Sequence, residues 1–93
     1  MTEFDKLVKW LKENNYKFTI NDDLFSGSQV IVYTESDIRL WDVVYHKYSY
    51  GYEYGLLEMM GSIVQTPDSV IGYLTAKDCI AIAKGTYDWS NKE

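Results

Sequence analysis

The chain has 93 residues, of which 46% are hydrophobic and 25% are charged, and these proportions predict a single folded domain over residues 1–93 rather than a disordered segment. Its net charge is −5 with one arginine, which excludes the dense basic surface that attracts nucleic-acid backbones and anionic membranes. The aromatic share is 16%, and tyrosine supplies most of it with nine residues.

The first predicted element is a helix over residues 2–14. Thr2 and Asp5 have the spacing of a capping box, in which each side chain bonds the backbone N–H of the other residue. Apolar residues recur at the spacing of one buried helical stripe: Phe4, Leu7, Val8 and Leu11. Asn14 and Asn15 predict the end of the helix, because asparagine tolerates a left-handed backbone.

The middle of the chain predicts strands. Residues 16–20 alternate and are β-prone, residues 21–28 have turn chemistry, and residues 29–34 are rich in β-branched side chains. The segment 38–46 then predicts the second strand of a hairpin. Apolar residues at helical spacing over 38–48 leave a helix open as the alternative for that segment.

Further along the chain, glycine and proline separate short apolar segments. Residues 55–64 fit either a strand with a bulge at Gly61 or a short helix. Residues 65–69 contain the single proline and predict a turn, and residues 70–74 predict a short strand.

A second capping box predicts a C-terminal helix. Thr75 and Asp78 begin it, it continues to about Lys84, and Gly85 ends it. The residues predicted to line its inner face are Ala76, Cys79, Ile80 and Ala83. We expect the tail to fold Tyr87 or Trp89 onto the body. The predicted fold class is therefore α+β: an N-terminal helix, an antiparallel sheet of three to five strands and a C-terminal helix.

Residue types that carry chemistry are sparse. His46 is the single histidine, and along a strand Asp42 would lie about 13 Å from it, too far for a direct pair. Cys79 has apolar neighbours and is expected to be buried. One histidine and one cysteine cannot form a nitrogen–sulfur zinc site, and Glu53 and Glu58 lack a glycosidase context. We predict a protein that is not an enzyme and has no metal or cofactor.

Residues 45–55, YHKYSYGYEYG, are the most distinctive stretch. In an extended segment, alternation places four rings on one face: Tyr48, Tyr50, Tyr52 and Tyr54. Such a face can stack single-stranded bases, bind a protein, or pack on Trp41 or Trp10 in the core. Base stacking sites also need positive charge, whereas residues 21–68 carry eight acids against one arginine and one lysine, a net charge of −6. The charge therefore disfavours direct nucleic-acid binding.

Two stretches, residues 38–61 and 70–80, carry the pattern WD…H…SYG…GLLE…G followed by GYLTA-[DE]-D. In this pattern the chain resembles small uncharacterised proteins of phages and prophages of low-GC Gram-positive bacteria, over about a third of its length. The resemblance implies a phage-encoded accessory protein inside the host cell and brings no functional residues with it. It also implies a backbone turn at residues 49–51, which would break the four-tyrosine face.

The expected cellular compartment is inferred from two features that the sequence lacks. One cysteine cannot form an intramolecular disulfide, and residues 1–15 lack the pattern of a signal peptide or of a membrane span. We therefore expect a protein of the host cytoplasm with no membrane partner.

The leading hypothesis is a non-catalytic protein that binds a host protein through an acidic, tyrosine-rich surface. One version is a DNA-mimic inhibitor of a nucleic-acid enzyme, with carboxylates in a site built for phosphates. The residues predicted to contact the partner are Asp42, Tyr48, Tyr50, Tyr52, Glu53, Tyr54 and Glu58. The alternatives are a homodimer through the tyrosine face and a single-stranded nucleic-acid binder.

Overall fold

A computed structural model describes residues 1–91. Along the chain, a helix is followed by five strands and a second helix. They are α1 Glu3–Glu13, β1 Lys17–Leu24, β2 Gly27–Tyr33, β3 Arg39–Tyr45, β4 Leu57–Gly61, β5 Val70–Leu74 and α2 Ala76–Lys84. Two short 3-10 turns cover Tyr52–Tyr54 and Trp89–Asn91. This arrangement confirms the predicted α+β class, with all five strands in one antiparallel sheet.

The sheet is a meander in which each strand pairs with its neighbour in sequence, in the order β1-β2-β3-β4-β5. In β3, Val43 lies opposite Val30 on one side and Met59 on the other. The segment 38–46 is therefore a central strand, and the helical alternative for it is wrong. Residues 55–64 likewise contribute a strand, which ends at Gly61.

One apolar core forms where both helices pack on the same face of the sheet. It joins α1 to alternate residues of the strands, such as Val30, Val32 and Val43, and to α2. On α2, Ala76 and Cys79 are buried as predicted, but the third buried residue is Ile82. Ile80 and Ala83, which were expected on the inner face, are partly buried at its edge, so the buried stripe of this short helix is wider than the one predicted. Tyr87 and Trp89 pack against this core, as predicted for the tail.

The ends of both helices form as the sequence predicts. Both capping boxes, at Thr2 and at Thr75, have their two bonds, and Gly85 ends α2 with a left-handed backbone. Glu3 also joins the two helices, because its carboxylate accepts a 2.7 Å hydrogen bond from the backbone N–H of Ala76. This bond, together with the side chain of Lys6, lowers the pKa of the Glu3 carboxyl. Within residues 1–91, neither helix is long and apolar enough to cross a membrane.

The turn predicted over residues 21–28 is shorter in the structure, because strand β1 extends into it. The strand continues to Leu24 and β2 begins at Gly27, so the turn consists of Phe25 and Ser26. The polar residues 21–23 are exposed on the edge strand of the sheet. The β1–β2 pairing shifts register between Asn21 and Leu24, and the backbone N–H of Asp23 donates to the side-chain oxygen of Asn21, so the turn-prone residues form a bulge in this edge strand.

Candidate functional site

The loop between β3 and β4, residues 46–56, holds the tyrosine-rich stretch outside the sheet. Gly51 and Gly55 have positive φ values of 98° and 72°, and between them Tyr52–Tyr54 form a 3-10 turn. Glycine adopts such angles without the steric cost that other residues bear. The turn expected near residues 49–51 is therefore present, and the rings do not share one strand face.

All four of these rings are exposed to solvent. The exposed fraction is 67% for Tyr48, 61% for Tyr50, 37% for Tyr52 and 72% for Tyr54. Packing on Trp41 or Trp10 is not what the structure shows. Tyr52 stacks instead on the partly buried Tyr45, with ring centroids 4.7 Å apart.

Two further aromatic residues extend this region, and sequence reasoning missed both. Tyr73 on β5 and Phe25 in the β1–β2 turn are each 53% exposed. We call the six residues together the aromatic surface: Phe25, Tyr48, Tyr50, Tyr52, Tyr54 and Tyr73. Within residues 1–91, the hydroxyl groups of its five tyrosines make no hydrogen bond, so each ring offers an unused polar group to a partner.

Hydrogen bonds to His46 hold the start of the loop. The Ser49 hydroxyl donates to the backbone oxygen of His46 at 2.8 Å and accepts from its backbone N–H at 3.1 Å. The backbone N–H of Tyr48 donates to Nδ1 of the His46 ring at 3.1 Å. His46 and Ser49 are both buried. Tyr48 thus projects from a fixed backbone, which reduces the entropy lost when a partner binds.

The other end of the aromatic surface is fixed by a bulge in β5. Leu57 pairs with Leu74 and Met59 pairs with Ile71, so Gly72 and Tyr73 together lie opposite the single residue Glu58. Tyr73 has a φ of 60°, and its backbone N–H donates to the backbone oxygen of Tyr50 at 3.3 Å. Bulges commonly redirect a side chain beside a functional site. The glycine within the apolar segment 70–74 is the sequence signal that could have indicated this bulge.

Phe25 has a backbone conformation that phenylalanine rarely adopts. Both turn residues have positive φ, 51° for Phe25 and 63° for Ser26, as in a type I′ hairpin turn. Such turns prefer Asn-Gly, and a bulky aromatic residue there is uncommon. The Phe25 ring packs edge-on against His46 and Tyr48, with centroids 5.0 and 5.1 Å away. Strain of this kind is concentrated at functional sites.

The three carboxylates predicted as partner contacts lie in different environments. Asp42 is 4% exposed; it accepts a hydrogen bond from Nε2 of Gln29 and pairs with Arg39, both at 3.0 Å. Glu58 is 9% exposed, and its Oε1 accepts from the backbone N–H of Tyr50 at 2.8 Å. Glu53 is exposed, and within the described residues its carboxylate makes no hydrogen bond or ion pair. We therefore keep Glu53 in the candidate site, assign Glu58 to holding the tyrosine loop, and assign Asp42 to the sheet.

A shallow cavity of about 210 Å³ opens in the aromatic surface. The residues that line it include Tyr50, Tyr52, Tyr54 and Tyr73, together with Glu53 and Lys47, and most of its exposed lining is polar. The same end of the sheet carries the exposed Asp22 and Asp23, next to the Phe25 turn. Glu53 lies beside Lys47, and Asp22 lines a separate groove with Lys9 and Lys12 of α1, so acids and lysines are mixed around the aromatic surface.

His46 and Cys79 both have structural roles. His46 uses Nδ1 to hold the loop, and Asp42 bonds other side chains. Cys79 is fully buried; burial first, and then the nearby charges of Asp78 and Glu3, raise the pKa of its thiol well above the usual range. Among residues 1–91, no group of three or more His, Cys, Asp or Glu side chains lies where it could hold a metal ion.

Comparisons with models of protein families, with curated proteins and with solved structures found no match to this chain.

Proposed function

We propose that this protein is a non-catalytic, phage-type accessory protein that binds a host protein in the cytoplasm through the aromatic surface. The observation that carries the proposal is the exposure of five tyrosines and one phenylalanine on a fixed backbone at one end of the sheet. Tyrosine supplies large contact area for little conformational entropy, and it is enriched where proteins recognise proteins.

The net charge supports a protein partner over a nucleic acid. Glu53 is exposed beside Lys47, and Asp22 lines a groove with Lys9 and Lys12 of α1. Binding to a phosphate backbone draws its affinity from clustered lysine and arginine contacts, which a chain of net charge −5 with one arginine disfavours. A net negative charge instead favours a basic protein surface, because complementary charges speed encounter and exclude wrong partners.

The DNA-mimic version of the proposal receives less support from the geometry. It needs several exposed carboxylates in a phosphate-like array, whereas Asp42 and Glu58 are buried and bonded within the chain. Aromatic contact is the binding mode that the exposed residues favour. A nucleic-acid enzyme remains one example of a basic partner.

Affinity capture tests the proposal. The immobilised protein should retain a specific protein from a lysate of a low-GC Gram-positive bacterium. Replacing Tyr48 and Tyr54 with alanine should weaken that binding by at least about 30-fold, the effect of removing a hot-spot side chain. The control is Ile38→Ala with Leu40→Ala, a pair that is also exposed but lies at the opposite end of β3.

Three outcomes are decisive. Loss of the retained protein with the tyrosine variant, but not with the control, supports the proposal. Equal retention by both variants contradicts it. If light scattering shows a dimer that the tyrosine variant dissociates, the aromatic surface binds a second copy of the chain, and the homodimer replaces the host protein as the partner.

The strained turn gives an independent prediction. Replacing Phe25 and Ser26 with Asn-Gly should raise the free energy of unfolding by about 1–2 kcal/mol, because these residues suit a type I′ turn. The same change should weaken capture, since it removes an exposed ring of the aromatic surface. Urea unfolding measures the first effect. Ser26→Gly alone is the control, and it should stabilise the fold without changing capture. A destabilised Asn-Gly variant would contradict the assigned turn.

A further inference from the structure

Strand β1 forms one edge of the sheet and pairs with β2 alone. Alternate residues of an edge strand direct their backbone N–H and C=O groups away from the sheet, where another strand can bond them. Within residues 1–91, no hydrogen bond reaches the backbone of residues 17–21 from outside the β1–β2 pair. This edge can therefore accept a further strand.

The bulge in β1 limits where a further strand can pair. Residues 17–21 match residues 29–33 of β2 one for one, and the register shifts between Asn21 and Leu24. Because a bulge interrupts regular pairing, residues 17–21 are the part of the edge that is free to pair, and Thr19 is their centre. If β1 pairs antiparallel with itself about this centre, Thr19 lies opposite Thr19, and Phe18 lies opposite Ile20 of the second copy.

The side chains of residues 17–21 suit one another in that register. Phe18 and Ile20 lie opposite the core residues Val32 and Val30, so both are on the face of the sheet that the helices cover. Ile20 is nevertheless 41% exposed, because no strand lies beyond it. Pairing centred on Thr19 places an aromatic residue opposite a β-branched one, and threonine opposite threonine, and both are stabilising cross-strand pairs.

A groove of about 540 Å³ opens along the same edge, between α1 and β1. Ile20 lines it together with Phe4 and Val8 of α1. The charged residues that line it are two acids and two lysines: Asp5, Asp22, Lys9 and Lys12. In a two-fold interface a surface contacts its own copy, so a surface of one sign would repel itself. This one has balanced charges, although the whole chain has a net charge of −5.

We propose that β1 binds β1 of a second copy of the chain, antiparallel and centred on Thr19. The two sheets then join into one of ten strands, five from each copy, with the helices of both copies on the same side. The aromatic surface lies at the end of β1 that leads into Phe25. Antiparallel pairing therefore directs the two aromatic surfaces to opposite ends of the dimer. This inference goes beyond the proposed function, because the dimer leaves both aromatic surfaces open.

Sedimentation of the whole protein over a concentration series that reaches the millimolar range tests the proposal. We expect a monomer–dimer equilibrium with a micromolar dissociation constant, as an interface of limited area provides. Thr19→Lys places two like charges directly opposite each other in the dimer alone, and it should weaken dimerisation about fivefold. Thr19→Glu should do the same. An equimolar mixture of the two variants should dimerise again, because lysine then lies opposite glutamate.

Ser62→Lys and Ser62→Glu are the matched controls. They make the same changes of charge at an exposed position just beyond β4, and they should leave dimerisation unchanged. A protein that stays monomeric throughout the series overturns the proposal. Unchanged dimerisation of the Thr19 variants, or a mixture that associates no better than either variant alone, overturns it as well.

The aromatic surface provides a separate control. Replacing Tyr48 and Tyr54 with alanine should leave the β1 dimer intact, and a dimer that this change dissociates would overturn the pairing through β1. Host-protein capture is measured independently with dilute protein. Absence of the dimer together with tyrosine-dependent capture therefore rejects the β1 pairing and leaves the proposed function standing.

Discussion

Replacing Gly72 with alanine is expected to lower the free energy of unfolding by about 3 kcal/mol, the upper end of the range for an overpacked site. A Cβ at this position would lie 2.2 Å from the Cβ of Tyr50 and 3.0 Å from its backbone oxygen. Neither atom can move away by a simple side-chain rotation, so the tyrosine loop itself has to shift. We therefore also expect the aromatic surface to lose its arrangement, since Tyr50 and Tyr73 meet at this point.

Urea unfolding and the NMR signals of Tyr50 and Tyr73 measure these two effects. Gly85→Ala provides the comparison, because a Cβ at Gly85 meets open space and its φ of 77° carries a backbone penalty of about 1–2 kcal/mol alone. The Gly72 variant should be the less stable of the two. If it is as stable as the Gly85 variant and keeps the Tyr50 and Tyr73 signals, the loop does not pack on β5 as closely as described.

Asp42→Ala is the second change for which a large effect is expected. It removes the acceptor for Gln29 and the partner of Arg39 at the centre of the sheet. Breaking a fully buried ion pair costs about 3–5 kcal/mol. The Arg39 side chain is half-exposed and regains water, so we expect a loss of about 2 kcal/mol. Denaturant unfolding at neutral pH gives the value directly.

Asp42→Asn separates a structural role from a binding role. It keeps the size of the side chain and an acceptor for Gln29, so it should destabilise the fold less than alanine does. Because the side chain is buried, capture of the partner should be unchanged, whereas Glu53→Gln should weaken capture. If Asp42→Asn weakens capture at full stability, Asp42 contacts the partner after all, as the sequence first suggested.

The elements that the sequence predicts well are those whose signals are local. Both helices begin at a capping box, and the bonds of such a box join residues three apart, so they form wherever the helix forms. The ambiguity over residues 38–48 had a different origin. A central strand is buried on both faces, and its apolar residues then lose the alternation that separates a strand from a helix.

The candidate site was harder to predict because its parts come together through tertiary contacts. Alternating tyrosines suggested one strand face, but Gly51 and Gly55 turn the chain so that the rings project from a loop. Burial of Asp42 depends on Gln29 and Arg39 in the folded sheet, which composition cannot indicate. Tyr73 lies in the site because of a bulge in β5. Phe25 lies in it because of a turn whose positive φ values phenylalanine rarely adopts.

The meander order has a consequence for how the chain folds. Each strand pairs with the strand next to it in sequence, so hairpins can be added one at a time without a crossover between distant strands. In contrast, the bond from Ala76 to Glu3 spans 73 residues and joins the two ends of the chain. Pairing between neighbouring strands therefore predicts that the sheet can form before α1 and α2 dock against each other. The helix pair would then be the part whose release opens the core first.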